Sequence, residues 1–183
     1  YRVTVNRSSG LFLILCSTAL WSRLTRQIES LRLSSMCAGD AMKDLAIRWL
    51  IKRDMPEVLE IAHSGYSPLW SEDDFLEQLR KSNCIGVVAE LNHDVLGFMV
   101  YCLEKSLLVV INFSVHPAHR RKKIGTAMVE CLVDKLSQQR RTEIEVSLPD
   151  SCAAAQMLFS SCKFRQVAIV RSGNTEPEYL MEY

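Results

Sequence analysis

A run of four basic residues marks the point where an apolar segment gives way to a helical pattern. Residues 111–129 read INFSVHPAHRRKKIGTAMV, and the basic members are Arg120, Arg121, Lys122 and Lys123. The apolar run 107–115 is typical of a buried strand, and a helical period begins near Ile124. The first N–H groups of a helix lack intrahelical partners and carry the positive end of its dipole. This arrangement predicts an anion site that suits a phosphate-bearing cofactor. The alternative, a plain strand–loop–helix joint with a solvated basic run, stays open.

Charge and histidine content exclude several classes of function. The 183 residues suit one domain with a real core, and 22 basic against 21 acidic residues leave a net charge of +1. This balance gives no general signal for binding nucleic acid or an anionic membrane. A nucleic-acid-binding protein that uses the basic run is disfavoured further, because no aromatic residues are interleaved with it. The four histidines are scattered, and none has a ligand partner at metal spacing, so no metal is predicted.

The seven cysteines are an odd number and contain no Cys-x-x-Cys pair. Several fall inside apolar segments, where buried thiols are common. The pattern favours a reducing compartment, namely the cytoplasm, with no disulfide framework and no structural zinc.

Residues 1–45 differ in composition from the rest. Two arginines precede the apolar run 10–21, which is the order of a secretory signal, but the run is short for a membrane span. We expect 1–45 to be an N-terminal extension, either upstream sequence or a wrongly assigned start, with Met36 or Met42 as sensible starts. A true signal or anchor and a family-specific N-terminal helix remain as alternatives. The segment says little about function.

From residue 46 onward, apolar β-rich runs and amphipathic runs follow one another. Asp54 and Ser71 are predicted to cap the first two helices, and Asn92-His93-Asp94 is predicted to close a hairpin. The order is βααβββαβαββ, which predicts an α/β (α+β) domain over 46–183 with a mixed, twisted sheet of six to seven strands and about four helices. Predicted strands are 46–52, 84–91, 95–103, 106–115, 143–148, 165–170 and 179–183, and predicted helices are 55–65, 71–81, 124–136 and 151–161.

This order, with the runs VHPAHRRKKIGTAMVE and AAAQMLFSSCKF, resembles the Gcn5-related N-acetyltransferase (GNAT) superfamily over about residues 46–183. The superfamily signature Arg/Gln-x-x-Gly-x-Gly/Ala is replaced here by residues 120–125. The run PLWSEDDF, 68–75, looks like the branch of ribosomal-protein-alanine N-acetyltransferases, which acetylate protein N-termini. The resemblance implies a sheet that opens between its fourth and fifth strands.

The resemblance also implies a reaction and the residues that carry it. Acetyl-CoA would be the donor, and a primary amine, most simply a protein N-terminal α-amine, would attack it directly in a ternary complex. A bulge in the fourth strand would let a backbone N–H polarise the thioester oxygen. Glu145 matches the general base of the branch, although it could equally be an ordinary strand carboxylate. The implied cofactor-binding residues are Phe113, Ser114, Val115, Arg120, Arg121, Lys122, Lys123, Ile124, Gly125, Thr126, Cys152 and Phe159.

Four positions depart from the pattern of the superfamily. Lys123 replaces the first loop glycine, and a lysine at φ > 0 would cost roughly 1–2 kcal/mol. Phe159 stands where the branch has the tyrosine that protonates the leaving thiolate. Cys152 replaces an asparagine, and Lys163 replaces a glycine. These departures favour the second reading, a catalytically weak or inactive GNAT-like binding module.

Three considerations keep the enzyme as the leading reading. Tyr101 and Tyr179 are other candidates for the acid, although their sequence positions do not locate them. An α-amine has a pKa of about 7.7–8.0, so a fraction is already neutral at pH 7 and needs little help from a base. Holding the amine beside the thioester supplies much of the rate increase.

Overall fold

The computed structural model describes residues 44–65, 70–139, 141–171 and 176–183, without the side chains of 137–139. The predicted extension 1–45 lies outside these residues except for its last two positions. The described residues form the strands β1 (Ala46–Trp49), β2 (Cys84–Leu91), β3 (Asp94–Leu103), β4 (Leu107–Val115), β5 (Glu143–Pro149), β6 (Arg165–Val170) and β7 (Glu178–Glu182), and the helices α1 (Met55–His63), α2 (Glu72–Arg80), α3 (Ile124–Gln139) and α4 (Ala153–Ser161).

The seven strands form one mixed sheet, as predicted, in the order β1-β2-β3-β4-β5-β7-β6. Neighbouring strands are antiparallel except β4 and β5, which are parallel. The crossover through α3 joins these two parallel strands. The C-terminal strand β7 lies between β5 and β6, so β6 forms one edge of the sheet. The prediction of a GNAT-type fold with four helices is confirmed.

Two apolar clusters cover the two faces of the sheet. The first lies under α3 and α4 and includes Ile124, Leu132 and Phe159. The second lies under α1 and α2 and includes Val58, Ile61 and Phe75, together with strand residues from β2 and β3. Its buried members come from α1, α2, β2 and β3, so the two helices cover β2 and β3 on this face of the sheet.

Both predicted cap residues occupy the N-cap positions of their helices, and Ser71 also caps with its side chain. Ser71 Oγ accepts a hydrogen bond from the Asp74 N–H at 3.3 Å, and Asp74 Oδ2 accepts one from the Ser71 N–H at 2.8 Å. Asp54 is the N-cap residue of α1, as predicted, but its side chain makes no cap hydrogen bond. Its carboxylate instead binds the Arg48 guanidinium, at 2.6 Å and 2.9 Å, and the Ile51 N–H at 3.0 Å. The ion pair with Arg48 outcompetes the cap because it is charge-assisted and bidentate.

The prediction of no disulfide is also wrong, because Cys84 and Cys102 are bonded to each other. The two residues are direct cross-strand partners on β2 and β3, with Cα atoms 4.1 Å apart. The hairpin turn has Asn92 and His93 both at positive φ, as a two-residue turn requires. Counting back from that turn would pair Cys84 with Tyr101, but a bulge beside Ala89 shifts the register by one residue. The bond weakens the reasoning that placed the protein in the cytoplasm.

The longest described helix is α3, with 16 residues. Within the parts of the chain that the structure describes, no helix has the length and apolar character needed to cross a membrane.

Candidate active site

A cleft begins where β4 separates from β5. Cross-strand partners with β3 run Val100↔Asn112 and then Tyr101↔Val110, so Ile111 is an extra residue in β4. Pairing with β5 ends at Val110↔Val146, one residue before this bulge. A bulge bends its strand and ends regular pairing. The predicted opening between the fourth and fifth strands is therefore present.

The cleft has a volume of about 490 Å³. Its walls are the end of β4, the first turn of α3, the end of β5 and one side of α4. The loop of residues 120–123, called the basic loop below, completes them. Ten of the twelve predicted cofactor-binding residues line it: Phe113, Ser114, Val115, Arg120, Arg121, Lys123, Ile124, Gly125, Thr126 and Cys152. The structure thus brings together two regions far apart in sequence. Lys122 and Phe159 are not among the lining residues.

The basic loop has an alternating backbone conformation. Arg121 has φ 64° and Lys123 has φ 62°, both in the left-handed region, whereas Lys122 between them has no positive φ. Such alternation turns successive N–H groups toward one point and makes an anion-binding concavity. The Ala127 N–H donates to the Lys123 carbonyl at 3.0 Å, so α3 begins directly behind the loop. The strain expected at Lys123 is present, and the sequence missed a second instance at Arg121.

Gly125 allows α3 and α4 to approach each other across the cleft. A Cβ at this position would lie 2.9 Å from Leu158 Cδ2 and 3.3 Å from Phe113 Cζ. Both distances are shorter than ordinary contacts between carbon atoms. The first turn of α3 therefore presents backbone rather than side chain at this point of the cleft.

Cys152 lies immediately before α4 and is 5 % exposed. Its N–H donates to the Pro149 carbonyl at 3.0 Å, which turns the chain from β5 into α4. Burial raises the pKa of the Cys152 thiol, outweighing the hydrogen bond with Ser151, so the group is a neutral thiol at neutral pH. It can therefore line the cleft as a small apolar group.

Phe159 lies in the core and not in the cleft. Its side chain has no exposed surface, and its ring packs edge-on against Phe113 at 5.7 Å and Phe164 at 4.9 Å between centroids. The expectation that Phe159 contacts the cofactor is corrected on this point, because the aromatic core encloses the ring on all sides. The structural alternative, packing by a helix residue, is the one observed.

Neither alternative tyrosine lines the cleft. Tyr101 is 1 % exposed, and burial raises its pKa far above the usual range. Tyr179 lies on β7 opposite Leu148, and a hydrogen bond to Asp150 raises the pKa of its phenol. Both shifts favour the protonated form, but neither group is placed to reach a leaving group in the cleft.

Glu145 lies on β5 between Val109 of β4 and Glu182 of β7. It is half-buried, and it alternates with Ile144 and Val146, which are fully buried under α3. Successive strand residues point to opposite faces, so Glu145 faces the side of the sheet away from α3 and α4. It does not line the cleft itself.

Further carboxylates share that face of the sheet. Glu178 and Glu182 alternate along β7 with Met181, which is buried on the opposite side, so they belong to the same face as Glu145. The Ser147 hydroxyl on β5 donates to Glu178 Oε2. Sequence reasoning missed this arrangement because β7 is the last strand in the sequence, and only the strand order of the sheet places it beside β5.

The sequence also passed over His119, which lines the cleft beside the loop. Its ring stands edge-on to that of His116, 5.4 Å between centroids, and Lys122 Nζ lies 3.4 Å from its Nδ1. Burial first, and then the charge of Lys122, lower the pKa of His119. Within the described part of the chain, no three His, Cys, Asp or Glu side chains are grouped so that they could hold a metal ion.

The sheet thus opens at a bulge in β4, and the loop of residues 120–123 leads from that strand into α3. The family model for the acetyltransferase (GNAT) family matches residues 46–164. The chain belongs to the acetyltransferase (GNAT) family, and the sequence prediction of an N-acetyltransferase of this superfamily is confirmed.

Several known proteins are similar to the chain. The [ribosomal protein bS18]-alanine N-acetyltransferase of Escherichia coli is 24 % identical over 119 residues, which cover 65 % of this chain and 80 % of the relative. The crystal structure of the E. coli ribosomal-protein-S18-alanine N-acetyltransferase has a TM-score of 0.67 at 22 % identity, covering 75 % of this chain and 92 % of the other. Ard1 from Thermoplasma volcanium has a TM-score of 0.70 at 17 % identity, with coverages of 76 % and 97 %.

Arabidopsis thaliana NAA60 in complex with acetyl-CoA has a TM-score of 0.64 at 14 % identity, covering 76 % of this chain and 98 % of that one. At these identities the structural likeness establishes a shared fold.

Proposed function

We propose that this protein transfers an acetyl group from acetyl-CoA to a protein N-terminal α-amine, by direct attack in a ternary complex. One observation carries the proposal: the opening between β4 and β5 and the basic loop before α3 line the same cleft. Arg121 and Lys123 of that loop have the left-handed backbone conformation. An elongated thioester with a diphosphate at its far end matches a cleft that ends in an anion-binding loop.

The residues present fit acetyl-CoA. The loop offers the converging N–H groups of 121–126 to a diphosphate, and its basic side chains offset the charge. The bulged end of β4, 113–115, offers backbone groups to the amide-bearing arm of the cofactor. Gly125, which has no side chain, and the small thiol of Cys152 add little bulk to the wall of the cleft. Acetyl-CoA bound to a solved neighbour of the same fold supports this assignment.

The acceptor would approach from the face that carries Glu145. In the reaction the amine nitrogen bonds to the thioester carbonyl carbon, the carbon–sulfur bond breaks, and the amine loses a proton. Glu145 takes that proton directly or through a water molecule. Glu178 and Glu182 on the same face would attract a cationic N-terminus. The relative that acetylates a ribosomal protein alanine supports a protein acceptor.

The leaving thiolate needs no dedicated acid in this scheme. An aliphatic thiol of the cysteine kind has a pKa of about 8.5, so its anion is a tolerable leaving group near neutral pH. Protonation can then follow from water after the bond breaks. We expect the reaction to be slow relative to an enzyme that has an acid at the position of Phe159.

The second candidate function is a catalytically weak or inactive binding module of the same fold. Phe159 favours it, because a phenylalanine has no hydroxyl to protonate the leaving thiolate and its ring is fully buried. Such a module would retain the cleft and bind CoA, but it would not turn over. The predicted cytoplasmic location is a further proposal that accompanies either function.

Calorimetry with acetyl-CoA is the first test. We expect one binding site per chain, and no binding at millimolar acetyl-CoA would rule out the enzyme. The second test offers peptides with free and with blocked N-termini to the protein and acetyl-CoA, followed by mass spectrometry. Acetylation only of internal lysines would refute the α-amine claim. Tight binding without turnover on any free N-terminus would favour the binding module.

A further inference from the structure

The guanidinium of Arg120 joins elements that are distant in sequence. Its Nε donates to the Val115 carbonyl at 3.1 Å, and its Nη2 donates to the Ser64 carbonyl at 3.3 Å. Val115 is the last residue of β4, and Ser64 is the residue directly after α1. One side chain therefore connects the start of the basic loop with the end of α1, 56 residues away in the sequence.

The contact at Gly65 shows independently that the end of α1 lies against β4. A Cβ on Gly65 would be 2.4 Å from Ser114 Oγ, 3.3 Å from Ser114 Cβ and 3.4 Å from the Ile61 carbonyl. A side chain at this position would need Ser114 to move. Ser64 and Gly65 are therefore held close to the bulged strand, and Arg120 reaches a carbonyl that is already in place.

We propose that Arg120 is a positioning residue that ties the end of α1 to the basic loop, rather than a ligand of the phosphates. Two of its donors are directed at the backbone carbonyls of Val115 and Ser64. Helix ends leave carbonyls without partners, and a cation is favourable there. The forked, planar guanidinium can serve both carbonyls at once, which a lysine ammonium on a flexible stem cannot do as well.

The tie has a consequence for the reaction, and this part rests on the proposed function. Helix α1 packs on the face of the sheet from which the acceptor would come, whereas residues 121–126 would hold the cofactor. Fixing the loop with cofactor would therefore also fix the end of α1 through Arg120. We expect the acceptor to bind more tightly once acetyl-CoA is in place, since two sites that share an ordered element are coupled.

Amide hydrogen exchange of the full chain tests the tie without relying on activity. Arg120→Gln should speed exchange in residues 61–65 by about fivefold, the Boltzmann factor of one hydrogen bond. Its Kd for CoA should rise less than that of Arg121→Gln, because two of the Arg120 donors already serve backbone carbonyls. The matched control is Arg121→Gln, which should leave exchange in 61–65 unchanged and weaken CoA binding about fivefold or more. Arg120→Lys, which keeps the charge, should show intermediate exchange.

The outcomes separate the tie from the proposed function. If amide exchange in residues 61–65 of Arg120→Gln equals that of the wild type, the tie is overturned. In that case, a loss of CoA affinity equal to that of Arg121→Gln would show that Arg120 binds the cofactor instead. If the exchange result is as expected but no peptide is acetylated, the tie holds and the proposed function fails. With turnover, Arg120→Gln should raise the acceptor KM more than it lowers kcat. An unchanged acceptor KM would overturn the coupling.

Discussion

The ring of Phe159 stands edge-on to the ring of Phe113, with centroids 5.7 Å apart and an interplanar angle of 70°. Phe113 lines the cleft, whereas Phe159 has no exposed surface and is enclosed by the core. The pair therefore separates the cleft from the interior at the position where the resemblance implies an acid. Edge-to-face pairs of this kind stabilise a core beyond the burial of their area.

Phe159→Tyr is expected to destabilise the protein without creating an acid. A hydroxyl added to a fully buried ring has no assured partner and should lower the free energy of unfolding by about 1–3 kcal/mol. Denaturant unfolding gives this value, and turnover should be compared at equal folded fraction. Phe159→Leu is the control for loss of the ring. A rise in turnover with a new limb in the pH–rate profile would show that the hydroxyl does reach the leaving thiolate.

Lys123→Gly is expected to stabilise the loop and to strengthen binding of CoA. Lys123 has φ 62°, a conformation that glycine adopts without the steric cost of a Cβ. Relief of that strain should raise the free energy of unfolding by about 1 kcal/mol. Thermal unfolding and calorimetry with CoA measure the two effects. Weaker binding of CoA would show that the lysine charge matters more than its strain.

A neighbouring residue provides the control for the strain argument. Lys122 lies in the same loop without a positive φ, so glycine there relieves nothing and only makes the unfolded chain more flexible. Lys122→Gly should therefore lower the free energy of unfolding by about 0.5–1 kcal/mol. Equal stabilisation by Lys122→Gly and Lys123→Gly would contradict the role assigned to backbone strain.

The sequence predicted the elements because their signals are local. The period of α3, the capping box of Ser71 and Asp74, and the hairpin at Asn92 each depend on residues a few positions apart. The cleft could be predicted only through the resemblance, since its walls come from β4 and β5, which pair across the α3 crossover.

What the sequence missed depends on register. A bulge beside Ala89 decides that Cys84 faces Cys102, and the placement of β7 between β5 and β6 decides that Glu182 stands beside Glu145. Bulges and strand order follow from packing across the whole sheet and leave no reliable local signal. Arg121 is a comparable case, because its positive φ is set by the path of the loop into α3.

Glu145→Gln is expected to lower turnover mainly on the acidic side of the pH–rate profile. The amide cannot accept the proton that the attacking amine releases, so only amine that is already neutral reacts. We expect a loss of roughly 10²-fold where the amine is charged, and less as pH rises toward about 8. Glu182→Gln, at the cross-strand position on the same face, is the control for loss of charge alone. A profile that keeps its shape in Glu145→Gln would remove Glu145 as the base.

The Cys84–Cys102 bond is expected to contribute to stability under non-reducing conditions. The two residues are 18 positions apart, and closing a loop of this size restricts the unfolded chain by roughly 3 kcal/mol. Reduction, or replacement of both cysteines by alanine, should lower the midpoint of thermal unfolding accordingly. Peptide mapping of the unreduced protein should yield one linked species that contains both residues. Finding the two peptides separately would show that the thiols are not bonded in the isolated protein.

Acid should destabilise the protein through Asp54, which is 3 % exposed. Burial alone would raise its pKa, but hydrogen bonds from Arg48 and the Ile51 N–H outweigh burial, and the pKa lies below the usual value. A carboxyl with a lowered pKa stabilises the fold above its unfolded pKa of about 3.9, and this contribution is lost as pH falls through the folded pKa. Asp54→Asn should therefore lower the free energy of unfolding by about 1–3 kcal/mol at pH 7 and flatten its decline below about pH 4. The control is Asp73→Asn, at an exposed position of α2, which should leave the decline of the free energy of unfolding below about pH 4 intact. An equally steep decline in Asp54→Asn would assign the acid sensitivity to other carboxyls.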